Sequence, residues 1–100
     1  MQIVITRHEA FVLLIKEFGL INDNDGFKVI EHASPEEITG KEVITSGLPL
    51  HLAAMTKKLT TVPLWVPADL RGQELTLDQC REFAKTPKAF TVKEEPVFSF

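Results

Sequence analysis

The chain has 100 residues, 44% of them hydrophobic and 25% charged, the make-up of one ordinary folded domain, which argues against a disordered or membrane class. A formal net charge of −3 excludes the extended basic surface on which nonspecific binding of long nucleic acid depends, but leaves room for a local cationic pocket that takes a small anion. The richest apolar run, residues 10–15, is far short of the roughly 20 residues of a membrane span and lacks the cleavage site of a signal peptide. The single Cys80 has no partner for an internal disulfide, so a cytoplasmic location with no membrane contact is expected.

Residues 2–6 (QIVIT) are a β-branched apolar run, the composition of a central strand buried on both faces. Residues 9–18 set Phe11, Leu14, Ile15 and Phe18 at helical spacing, with Gly19 suited to the position just past the helix end. The polar turn Asn22-Asp23-Asn24-Asp25-Gly26 leads into a second strand over 27–32 (FKVIEH). Ser34-Pro35-Glu36-Glu37 is a helix-start signature that Gly40 cuts to a single turn. A third strand over 42–45 runs through Ser46-Gly47-Leu48-Pro49 into an amphipathic helix predicted over 49–58, on the spacing of Leu50, Ala53, Ala54 and Lys57. A fourth strand is predicted over 61–66 with Pro63 near its start, followed by a loop over 67–74. Thr76 caps a helix reaching Lys85, and a fifth strand over 89–93 precedes the tail Pro96-Val97-Phe98-Ser99-Phe100. The alternation predicts one α/β, Rossmann-like domain over residues 1–95, with a mostly parallel five-stranded sheet and helices on both faces.

In such sheets ligands bind beyond the carboxyl ends of the strands, at the point where strand order reverses. That rule selects Thr6, Arg7 and His8 after the first strand, Glu31 and His32 after the second, Ser46, Gly47, Leu48 and Pro49 after the third, and Arg71 in the loop after the fourth. Arginine offers a rigid fork of donors to a phosphate, and histidine transfers a proton near neutral pH, so Arg7 and His8 suit phosphate chemistry. Ser46-Gly47 at a helix start lets backbone approach an anion, although Pro49 removes one N–H from that site. His51, one turn into the same helix, is a further candidate for binding. The stretch is neither a Walker loop nor a dinucleotide fingerprint, and no nucleophile elbow surrounds Ser46. Cys80 reads as a buried, inert thiol, and the acidic pairs Glu36-Glu37 and Glu94-Glu95 as solvated surface. His8, His32 and His51 lie far apart without a short-spaced pair, so no metal ligand set and no cofactor is expected.

Taken in order, Thr6-Arg7-His8, Glu31-His32, Leu48-Pro49-Leu50-His51-Leu52-Ala53 and Leu70-Arg71-Gly72-Gln73-Glu74-Leu75 resemble a small family of CRISPR-associated proteins that accompany type III systems. The resemblance runs over residues 3–85, and one departure is plain: Ser46-Gly47 stands where the family pattern has Gly-Thr before Leu-Pro. It implies a stand-alone, CARF-like Rossmannoid fold and a ring nuclease that cleaves cyclic oligoadenylate, most simply cyclic tetra-adenylate. It also implies a homodimer that holds the ring across its two-fold axis. The implied reaction is attack of a ribose 2′-hydroxyl on the adjacent phosphodiester, giving linear products with a 2′,3′-cyclic phosphate and using no metal. In that scheme Arg7 and Arg71 stabilise phosphate charge and His8 or His32 shuttles the proton, while Thr6, Glu31, Ser46, Gly47 and the start of the following helix hold the ligand. Two other readings stand beside it. One is a module that sequesters the same messenger without cleaving it; the other is a protein-binding module that uses Trp65 and the Phe98 and Phe100 tail.

Overall fold

In a computed structural model, which describes residues 1–98, the chain folds as β1 (Gln2–Ile5), α1 (Glu9–Glu17), β2 (Phe27–Ile30), α2 (Pro35–Ile38), β3 (Glu42–Thr45), α3 (Leu50–Ala53), β4 (Lys58–Thr61), a 3-10 turn (Ala68–Leu70), α4 (Leu77–Phe83) and β5 (Lys88–Phe90). Ser99 and Phe100, part of the tail considered above, lie outside the described residues.

The strands form one sheet in the order β2-β1-β3-β4-β5, parallel except for β5, which runs antiparallel to β4. The expected α/β architecture is therefore present, and its two-sided layering follows from the pleat. Val4 and Ile44 are register partners whose side chains join Phe11, Leu14 and Ile15 of α1 and Cys80 of α4 in one buried cluster. Their neighbours Ile3, Ile5 and Val43 point to the opposite face and pack with Ile38 of α2, Ala53 of α3 and Leu59 of β4. Phe11, Leu14 and Ile15 are completely buried, each contributing about 1.5–3 kcal/mol by leaving water. Gly19 closes α1 at φ +75°, a conformation that favours a residue without Cβ, and α4 starts with Thr76 and Gln79 exchanging reciprocal side-chain to backbone bonds.

Several boundaries differ from expectation. The helix predicted over 49–58 has only the four residues of α3. After it, the Gly40 N–H donates to the Met55 carbonyl (2.9 Å) and the Lys57 N–H to the Lys41 carbonyl (2.8 Å), which pulls the chain alongside β3 before a second turn forms. The fourth strand consequently starts early, at Lys58, where the pairing of Glu42 with Lys58 sets the register. Val62 adds one more bond by donating to the Thr45 carbonyl (2.9 Å), and Pro63, which has no N–H, ends the ladder rather than starting it. Beyond it Leu64 makes an isolated antiparallel bridge with Ala84, and α4 stops at Phe83 instead of Lys85. The fifth strand is Lys88–Phe90, not 89–93, because Phe90 is already the partner of Leu59 and Lys88 that of Thr61.

From β1 the chain passes through α1 to β2 on one side, and from β3 through α3 to β4 on the other. Strand order therefore reverses between β1 and β3, and a crevice opens at their carboxyl ends.

Candidate functional site

Ile5 is in register with Ile30 on one side and Thr45 on the other, so the loops leaving β1, β2 and β3 emerge along one edge. Two hydrogen bonds fix the first of them. The Thr6 N–H donates to the Ile30 carbonyl (3.0 Å), and the Thr6 hydroxyl oxygen accepts from the His8 N–H (3.0 Å), which turns the chain into α1. Thr45 ties the neighbouring strand end to it: its buried hydroxyl donates to the Ile5 carbonyl at 3.0 Å and lies 3.3 Å from the Gly47 carbonyl.

On this frame Arg7 and His32 come together, with Arg7 Nη2 3.4 Å from His32 Nδ1, both side chains open to solvent. His8 is set deeper. Its side chain is 29% exposed, its Nδ1 is closed off from solvent with no hydrogen bond, and the Glu74 carboxylate stands 3.7 Å from that atom. His8 lines two cavities. One, about 390 Å3, is bounded by Thr6, Arg7, Glu9 and Glu31 with Val12 and Val29; the other, about 150 Å3, by Leu70, Arg71, Gly72 and Gln73. Arg71 donates from Nε to the Val66 carbonyl (3.4 Å) and also lines a third cavity, about 560 Å3, beside Trp65. Arginine and histidine so placed can neutralise a phosphate and move a proton beside it.

Of the residues expected at the site, Thr6, Arg7, His8, Glu31, His32 and Arg71 thus share this end of the sheet. The β3 loop takes a different course. Leu48 and Leu52 pack on the α2 and α3 face, whereas the His8 and Arg71 cavities open beside Val12 of α1 and Leu75 of the α1 and α4 face. Ser46, Gly47, Pro49 and His51 are exposed, and they line none of these three cavities. The helix they introduce has only four residues, with Pro49 at its N-cap and no side-chain cap. Glu74 was not among the expected site residues. It belongs to the Leu70–Leu75 stretch that carried the resemblance, but nothing local in that stretch signals a meeting with His8.

Burial, together with the nearby Glu74 charge, raises the Cys80 thiol above its ordinary range, so it stays protonated and serves as core. Among the described residues no group of three His, Cys, Asp or Glu side chains is placed to hold a metal ion, and no helix is long and apolar enough to cross a membrane.

No curated protein and no solved structure matches the chain. A family described as "Putative CRISPR-associated protein (Cas_VVA1548)" matches it over residues 3–93. That span runs from β1 through β5 and takes in all three strand-end loops, Arg71 and Glu74. The chain therefore belongs to this CRISPR-associated family.

Proposed function

We propose that the protein is a ring nuclease that opens cyclic oligoadenylate, with cyclic tetra-adenylate as the first substrate to test. The observation that carries this reading is the grouping of Arg7, His8, His32 and Arg71 around the carboxyl end of β1, at the strand-order reversal, in a chain whose net charge is negative. Membership of a CRISPR-associated family supplies the setting.

The substrate carries its own nucleophile. A ribose 2′-oxygen gives up its proton to a base and bonds to the adjacent phosphorus; the P–O5′ bond breaks and the departing 5′-oxygen takes a proton. The product is linear, with a 2′,3′-cyclic phosphate at one end and a 5′-hydroxyl at the other. The protein's contribution is alignment and charge stabilisation. Arg7 and Arg71 hold the phosphate oxygens. His8 is the proton carrier: the Glu74 carboxylate beside Nδ1 favours the tautomer with its proton there, leaving Nε2 to exchange one with the substrate. His32, beside Arg7, fixes that guanidinium or takes the second proton step. A homodimer would present two copies of this loop set to a ring with matching two-fold symmetry.

Incubation of the purified protein with radiolabelled cyclic tetra-adenylate in EDTA is the test. Linear products ending in 2′,3′-cyclic phosphate are expected, with cleavage slowed about 100-fold or more in Arg7→Ala and His8→Ala. Ligand that is bound but unchanged after long incubation would make the protein a sequestering module. A strict monomer by light scattering, with and without ligand, would remove the two-fold arrangement.

A further inference from the structure

Trp65, the chain's single tryptophan, is 70% exposed on the segment that leaves β4, at the same carboxyl end of the sheet as His8. Its backbone is anchored. The Trp65 N–H donates to the Phe83 carbonyl (3.0 Å), Leu64 bridges Ala84, and the Lys85 N–H donates to the Pro63 carbonyl (2.8 Å). An indole held open on a fixed strand extension is prepared to meet something flat. Its surroundings say what. Lys85 Nζ sits over one face of the ring, 4.5 Å from its centroid, so stacking would use the other face, and the ring borders two cavities: the one of about 560 Å3 that includes Arg71, and one of about 370 Å3 that includes Lys85 and Lys88.

We infer that Trp65 is a stacking platform for a nucleobase, with Arg71 on one side and Lys85 and Lys88 on the other to accept the attached phosphates. A purely apolar partner would leave three cations beside the ring without a counter-charge, whereas a nucleotide supplies both a π-face and an anion. Arg71 is shared with the His8 cavity, so a base on Trp65 belongs to a nucleotide next to the phosphate held there. That the base is adenine rests on the proposed ring nuclease activity; the platform itself rests on the geometry of Trp65.

With one tryptophan in the chain, its emission reports on this site alone. Titration of the wild type with AMP and with linear tetra-adenylate is expected to quench that emission, UMP to quench it less, and inorganic phosphate to leave it unchanged. By calorimetry Trp65→Ala should bind linear tetra-adenylate about tenfold more weakly, with Trp65→Phe recovering part of the loss. Quenching by AMP in a protein that neither binds nor cuts cyclic tetra-adenylate would keep the platform and remove the ring nuclease. Cleavage of the ring with unchanged KM in Trp65→Ala, or no change in emission on saturation with tetra-adenylate, would overturn the platform and leave the nuclease standing. A change in light-scattering mass in Trp65→Ala, with nucleotide affinity intact, would overturn it in favour of a surface between copies of the chain.

Discussion

The three arginines fall into two environments. Arg81, on α4, is fully committed: its Nε donates to Glu17 Oε2 of α1 at 3.0 Å, one Nη bonds Glu17 Oε1, and the other bonds Asp78 at 2.6 Å. This fork joins two helices on one face of the sheet, and the paired carboxylates push the guanidinium still further toward its charged form. Arg7 and Arg71, at the carboxyl end of the sheet, pair with no carboxylate among the described residues; their neighbours are a histidine ring and a backbone carbonyl. An arginine whose donors are already used holds structure, and one whose donors face a cavity is available to an anion. Residue type alone does not separate the two; the carboxylates opposite them do.

The largest effect that separates the two environments is on activity. Arg7→Ala is expected to reduce ring cleavage by about 100-fold or more while leaving the melting temperature unchanged, since its side chain is exposed and its contact, at 3.4 Å, is with the equally exposed His32. Arg81→Ala should do the reverse, lowering the melting temperature and sparing cleavage. Calorimetric melting and a cleavage time course on both variants decide it. Equal losses of activity would erase the distinction.

A middle-sized effect tests how firmly the two strand ends are joined. Thr45→Val keeps the shape of a buried side chain but deletes the hydroxyl donated to the Ile5 carbonyl. Urea unfolding should show a loss of about 1 kcal/mol. An unchanged midpoint would mean that the backbone ladder alone sets the distance between the β1 and β3 loops.

What could be read from the amino acids divides along a similar line. The runs QIVIT and EVIT and the spacing of Phe11, Leu14 and Ile15 announce two-sided strands and an amphipathic helix because burial periodicity is local. The strand-end rule then finds Arg7, His8 and Glu31 for the same reason. Lys57 and Lys58 carry no mark of a strand start; that boundary is set by pairing with Lys41 and Glu42, which only the fold brings alongside. The same pairing shortens α3, the helix that Ser46-Gly47 leads into. Glu74 reaches His8 through packing between segments far apart in the chain, a contact without a spacing to betray it.

The smallest expected effect lies in the pH dependence of the Arg81 fork. Hydrogen bonding to Arg81, opposed by some desolvation and helped by its charge, holds the Glu17 carboxyl below its ordinary range in the folded chain. A carboxylate depressed on folding contributes stability that is complete above the unfolded value, about 4.3, and is lost as pH falls through the lower folded value. Glu17→Gln should therefore melt below the wild type at pH 7, and the gap should close as the pH is lowered past 4. Both partners are about half exposed, at 48% and 40%, so raising the salt concentration should also shrink the gap. A difference that persists unchanged at pH 3 would assign the effect of Glu17 to packing instead of charge, and Arg81 would then lose the role that sets it apart from Arg7.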